Sequence, residues 1–183
     1  MSKNRAPWVS LSGRVIRVAL ARKDVGYAEL SRRLAQFGIL DEERALAARV
    51  AVGRVRLDLF LKILHVTDSE LPPLWQMVID KATSWETWAK SILLAELNEL
   101  PPVTIDDLAR NLANLGAGYS HDTLVSRIST GNLSLPDFLK CIVILRSRSL
   151  DSFIEYRDLV SAARVSNGPN DGESAGSSTE KSQ

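Results

Sequence analysis

The side chains best equipped to do chemistry here are arginines. A guanidinium stays charged at every physiological pH and offers five donors in a rigid fork, which suits phosphates and the edges of guanine. Their distribution is uneven. Residues 1–66 hold thirteen Lys and Arg against six Asp and Glu, a net charge of +7. Residues 67–84, 85–165 and 166–183 each carry a net of −2, so the whole chain comes to only +1. Clustered Lys and Arg neutralise phosphates and release counterions, so the basic third of the chain is where a nucleic acid would bind.

Other reactive groups are sparse. His65 and His121 are isolated, with no second His or Cys at metal-ligand spacing, and Cys141 is the only cysteine. Cys141 is expected to be a small core residue. One cysteine also rules out an intramolecular disulfide, in keeping with a reducing compartment. There is no Gly-rich phosphate loop, no nucleophile elbow and no pair of carboxylates set for acid–base work. The Asp106-Asp107 pair suits the first turn of a helix. The expectation is a non-enzymatic protein with no cofactor and no metal. No apolar signal core follows the basic start, and no stretch approaches the roughly 20 apolar residues that span a bilayer. A cytoplasmic protein without a membrane partner is expected.

The elements that position the arginines come as a repeat. Shifting the chain by 78 positions lays Leu30–Lys62 on Leu108–Lys140 without a gap, with twelve identities in 33 positions. The pairs include Leu30/Leu108, Arg32/Arg110, Gly38/Gly116, Leu46/Leu124, Arg49/Arg127, Gly53/Gly131, Phe60/Phe138 and Lys62/Lys140. With a shift of 77, Trp8 falls on Trp85, Val15 on Ile92 and Leu20 on Leu97. Self-similarity at this period marks a duplicated structural unit.

Each copy reads as four or five helices. Leu11, Val15, Val18, Ala19 and Arg22 form the face of an opening helix, and Tyr27, Leu30, Leu34 and Phe37 that of a second ending at Gly38. A third is expected over 41–52, with Asp41, Glu42 and Glu43 in its first turn and Gly53 closing it. A fourth carries Leu57, Phe60, Leu61 and Leu64, and a fifth is expected near 71–79 and near 150–163. In the second copy Thr104 with Asp107 has the pattern of a capping box, and Ser134-Leu135-Pro136 that of a cap before an early proline. No useful run alternates with period two, so the fold class is all-α. The organisation expected is a basic repeat over 1–80, a near-neutral to acidic repeat over 81–165, and a disordered tail over 166–183, which is poor in apolar residues. Trp8, Trp75, Trp85 and Trp88, at the module ends, are expected to cover the cores or the seam between copies.

The order Tyr27-Ala28-Glu29-Leu30-Ser31-Arg32-Arg33-Leu34-Ala35, then a helix closed by Gly53, then Leu57-Asp58-Leu59-Phe60-Leu61-Lys62-Ile63-Leu64 resembles lambda-repressor-like (Xre-type) helix-turn-helix domains. It is more closely similar to a bacterial family of domains of unknown function, DUF6471, over Trp8 to about Val66 and again over Trp85 to about Arg146. The resemblance implies two tandem helical modules of helix-turn-helix character. The closer family has no activity to transfer, so function has to come from the residues.

Arginines shared by both copies, Arg32/Arg110 and Arg49/Arg127, can serve the fold in either one. Those unique to the first copy are more discriminating: Arg33, Arg44, Arg54 and Arg56. Arg44, near the start of the third helix, is the base-reading candidate, as helix-turn-helix docking requires. Arg49 with Arg54 and Arg56 forms a phosphate-facing group. At the place of Arg44 the second copy has Asp122. The expectation is therefore a DNA-binding, transcription-regulatory protein of bacterial or phage type. Its first repeat would contact duplex DNA, and its second would mediate homodimerisation or bind a protein partner. The alternative is a helical protein–protein interaction module whose basic face meets an acidic protein.

Overall fold

The computed structural model describes residues 6–80, 83–99 and 101–166. Among them are ten helices and no strand. The first repeat supplies α1 (Ala6–Arg22), α2 (Tyr27–Ala35), α3 (Glu43–Ala51), α4 (Leu57–Val66) and α5 (Pro73–Val78). The second supplies α6 (Trp85–Asn98), α7 (Ile105–Asn114), α8 (His121–Ser129), α9 (Leu135–Ile144) and α10 (Tyr156–Ser166). The fold is all-α and built from two tandem modules. The expected tail from 167 onward lies outside the described residues, whereas Ser166 is the buried last residue of α10.

Helix ends follow local chemistry. Ser84, Thr104, Ser120 and Ser134 each cap a helix by accepting the backbone N–H three residues on. Helix α2 stops at Ala35, short of the expected Gly38, and the turn that follows carries Gly38 at φ +76°. That turn lifts Phe37 off the helix, leaving it 43% exposed instead of in the core. Helix α3 starts only at Glu43, so Glu43 alone of the three acids lies in its first turn. Asp41 stays in the preceding loop, where Arg49 holds it. The last helix begins at Tyr156, well after the expected 150, because Leu150 to Ser152 form turns closed by Asp151 N–H to Arg148 O and Phe153 N–H to Leu150 O.

The two repeats interlock. Helix α1 packs on α9 of the other repeat and α6 packs on α4, so each opening helix crosses to the fourth helix of its neighbour. The fifth helices reach across as well, α5 onto α6 and α10 onto α1, although α10 packs mainly on α9 of its own repeat. At the centre Leu57 N–H donates to Leu133 O at 2.9 Å and Leu135 N–H to Val55 O at 2.8 Å, an isolated antiparallel bridge between Arg56 and Ser134. These residues are partners under the 78-residue shift. Aromatic contacts obey the same exchange: Phe60 lies 6.1 Å from Phe153, and Phe138 lies 5.8 Å from Trp75. Residue i meeting j while the equivalent of j meets the equivalent of i is the signature of an isologous contact. The chain is an approximate two-fold dimer of repeats within one polypeptide, with its axis at the Arg56–Ser134 bridge.

One continuous core runs through both repeats. Trp8, Trp75, Phe60 and Phe138 are fully buried in it, and Cys141 is buried as well. Two tryptophans also anchor helices by their indole N–H: Trp8 donates to Ser166 Oγ at 2.9 Å and Trp75 to Glu96 Oε1 at 2.7 Å. Trp88 is buried too, while Trp85 is half-buried beside Phe37 and His65.

Each opening helix passes tightly over the turn that ends the third helix of its own repeat. Gly53 and Gly131 hold φ of +66° and +64° there. A methyl group at Gly53 would sit 2.9 Å from a Val9 side-chain carbon, whereas one at Gly131 would sit 2.3 Å from the Glu86 carbonyl oxygen. A side chain can rotate away and a helical carbonyl cannot. Gly131→Ala is therefore expected to destabilise by about 2–4 kcal/mol and Gly53→Ala by about 1–2 kcal/mol, measured by urea unfolding; equal losses would refute this ordering. If the repeats share one core, cutting the folded chain at a protease site inserted between α5 and α6 should leave both halves co-eluting and melting in a single transition. Separation of the halves on a sizing column would contradict the interlocked fold.

Candidate functional site

The five candidate arginines fall into three settings. Arg44, the second residue of α3, and Arg54, in the turn after it, are both exposed, and neither side chain has a hydrogen bond or ion pair with any described residue. Arg33 sits elsewhere, on α2. Its guanidinium bonds Glu29 at 2.6 Å and donates to the Val66 carbonyl at the end of α4 at 2.9 Å. Arg49 and Arg56 are engaged but still reach the surface. Arg49 pairs with Asp41 at 2.7 Å, and Arg56 forms two parallel bonds of 2.9 Å to Asp58.

Arg49, Arg54 and Arg56 do come together, as expected. With Lys62, Ile39, Asp58 and Leu59 they line a shallow recess of about 330 Å³ between the end of α3 and the start of α4. Arg33 and Arg44 are not part of its lining. The recess is less basic than its arginines suggest, because Asp58 is buried at its floor and takes both Arg56 and, at 3.5 Å, Lys62. Burial pushes the Asp58 carboxyl up, but the Arg56 hydrogen bonds and charge, with Lys62, outweigh it and hold the carboxyl below its ordinary value. The same pair raises Arg56. On α2, hydrogen bonds from Arg32 and Arg33 lower Glu29 to about 2.

The arginines common to both repeats are each engaged within their own repeat. Arg32 bridges Glu29, and Arg110 bridges the equivalent Asp107. Arg49 meets Asp41, whereas Arg127 stacks over Tyr119, the equivalent residue, and donates to the Asn132 carbonyl. The shared lysines do the same: Lys62 answers Asp58, and Lys140 answers Asp137 at 2.9 Å. Burial works to raise Asp137, but a hydrogen bond from Tyr119 and the Lys140 charge bring it below its usual value.

The second repeat presents a face that charge counting passed over. Asp122, Thr123, Ser126, Arg127, Thr130 and Asn132 line a recess of about 400 Å³ along the outer side of α8. By the 78-residue shift these stand for Arg44, Ala45, Ala48, Arg49, Val52 and Arg54. The two outer helices thus show equivalent surfaces of different character: cationic and apolar on α3, net neutral and hydroxyl-rich on α8. The alternation of Ser and Thr along α8 is visible in the sequence, but only its exposed placement gives it a meaning.

Comparison with known proteins bears on the unit itself. The model of a domain of unknown function, DUF6471, matches the chain twice, over residues 8–71 and 85–150. The chain belongs to the DUF6471 family. Both matches open on a tryptophan in the first turn of an opening helix, and both end before the fifth helix, so the DUF6471 unit is the four-helix set α1–α4 and its copy α6–α9. Within this protein each DUF6471 unit completes its core with the other. No curated protein and no solved structure matches the chain. Among the described residues no group of His, Cys, Asp and Glu could hold a metal ion, and no helix is long and apolar enough to cross a membrane.

The lowered Asp58 pKa makes a stability statement. A carboxyl whose folded value lies below its unfolded one, about 3.9, contributes stability that is full above that pH and lost as pH falls through the folded value. Asp58→Asn is expected to destabilise by about 1–2 kcal/mol at pH 7, since Arg56 is half solvated and screened. Chemical unfolding at pH 7, 5 and 3 should show the gap between variant and parent shrinking toward the most acid point; a gap that stays constant would refute the pairing.

Proposed function

We propose that this protein is a non-enzymatic, cytoplasmic DNA-binding regulator of helix-turn-helix character, in which the first repeat contacts duplex DNA through α3 and the turn after it. The observation that carries this is the pair Arg44 and Arg54: exposed, free of any acid partner among the described residues, and set in the first turn of one short helix and in the turn that follows it. A helix with its side chains is about 10–12 Å across, which fits the roughly 12 Å width of a major groove. Between the arginines the outer face of α3 carries Ala45, Ala48 and Ala51, small enough to let the helix approach base edges and thymine methyls. Arg49, Arg56 and Lys62 in the adjoining recess, partly neutralised by Asp41 and Asp58, leave a net positive charge beside the helix for phosphates. Arg33, spent on Glu29 and the end of α4, supports the fold instead.

The second repeat has the place a second subunit has in a dimeric regulator, since it pairs with the first across the approximate two-fold axis. A second reading, docking of an acidic protein on the same face, draws on one observation: Leu40 and Val52 flank α3 and are 85% and 55% exposed.

Titration of the full chain against fluorescent random duplex at rising salt separates the two. Binding in the micromolar range is expected, with log K falling by about 0.9 per log salt for each phosphate contact. The double variant Arg44→Ala, Arg54→Ala should weaken it about tenfold or more, whereas Arg33→Ala should leave the salt slope unchanged. Absence of binding at low salt would retire the DNA reading in favour of the protein partner.

A further inference from the structure

We infer that the protein reads two dissimilar half-sites on one duplex, the first with α3 and the second with α8, so that its target is bipartite and not palindromic. The inference rests on the DNA reading above and adds to it the role of α8 and the form of the target.

The argument starts at the bridge. Arg56 and Ser134 face each other across the approximate two-fold axis, and each follows the last residue of its third helix, Ala51 or Ser129, by five positions. Five residues span at most about 18 Å and the bridged pair adds about 4.5 Å, so the C-terminal ends of α3 and α8 are at most about 40 Å apart, a limit that admits one turn of duplex between them. One turn of B-DNA is 34–36 Å, the spacing at which a paired reader meets the same groove twice. Duplex DNA has local two-fold axes of its own. If α3 lies in a groove, laying the protein's axis on one of them brings α8 to the equivalent place.

What α8 would present there differs from what α3 presents, position by position. Arg44 is replaced by Asp122, Ala45 by Thr123, Ala48 by Ser126 and Arg54 by Asn132. All eight are exposed. The chemistry of base edges separates the two sets. A guanidinium fits the paired acceptors of guanine, and an alanine fits a thymine methyl. A carboxylate accepts from the cytosine amino group, and hydroxyls bond to either kind of edge. Opposite charges at positions 44 and 122 cannot favour the same base, so an inverted repeat would satisfy one helix and repel the other. The phosphate contacts come chiefly from the basic first repeat, and the second adds discrimination. The bland alternative, that the α8 hydroxyls only face solvent, predicts no base preference beyond the first half-site.

The test is selection of bound sequences from a randomised duplex pool by the full chain, repeated with the triple variant Asp122→Arg, Thr123→Ala, Ser126→Ala, which gives α8 the α3 surface. The parent chain should recover two unlike half-sites about 10 base pairs apart. The triple variant should turn the second into the inverted copy of the first. Recovery of a single half-site by both proteins would overturn the inference while leaving DNA binding by α3 intact. Failure of the parent to retain any duplex at low salt would remove the DNA reading itself, and this inference with it. Should the triple variant melt early by circular dichroism, Ser126→Ala replaces it. That variant should bind the selected duplex at least about fivefold more weakly than the parent, and bind a duplex with the second half-site scrambled equally well. Equal affinity on the selected duplex would overturn the inference.

Discussion

The opening helix of each repeat buries more of itself against the fourth helix of the other repeat than against any helix of its own, and most of the structure follows from that. Val15, Ile16, Ala19 and Leu20 of α1 are removed from water, and α1 packs chiefly on α9, with α3 and α10 beside it. The equivalent α6 packs on α4. The exchange brings the Phe60 and Phe138 rings against aromatic residues of the other repeat and places Val55–Leu57 beside Leu133–Leu135. Unpaired, those apolar faces would expose a large contiguous patch, which soluble monomers avoid. Fusing the two copies holds the partner at high effective concentration, so the pairing does not depend on how much protein is present.

That constraint explains which positions resemble each other in the two repeats. Leu46/Leu124, Leu57/Leu135, Phe60/Phe138 and Leu61/Leu139 lie in the shared core and are identical. The glycines match where the opening helix leaves no room for a side chain over a left-handed turn. Asp68 and Arg146, equivalent positions after α4 and α9, adopt the same left-handed backbone despite unlike side chains. The turn geometry is preserved even where the residue is not. The outer faces of α3 and α8 touch neither the core nor the seam, and there the repeats part in charge.

Much of this was legible beforehand. The spacing of Leu and Val located the helices, Thr104 and Ser134 marked two of their starts, and the 78-residue shift revealed the duplication. The exchange of opening helices was not legible. Because α4 and α9 share Leu, Phe, Leu and Lys at matching positions, the face of α1 is compatible with either, and only the three-dimensional path selects between them. The site divides similarly. Asp58 lies two residues from Arg56 and four before Lys62, a local pattern that could have flagged the recess as partly neutralised. Arg33 is tied to a carbonyl 33 residues away, and no spacing rule announces that contact. Phe37 has helical spacing with Leu30 and Leu34, yet Gly38 closes the turn early enough to turn it outward.

A symmetric homodimer must change both of its equivalent faces at once, since one substitution appears twice. Joining the copies in one chain removes that coupling. Asp122 can stand where Arg44 stands because the second copy has its own codon for the position, while the interlocked core keeps both helices in equivalent places. The same step relaxes the demand for charge: thirteen basic residues in the first 66 leave the second unit free to carry acids without making the whole chain anionic. Core identity and surface divergence are therefore two results of one arrangement. The reciprocal packing holds the interior to a shared pattern, and covalent linkage frees the exterior from symmetry.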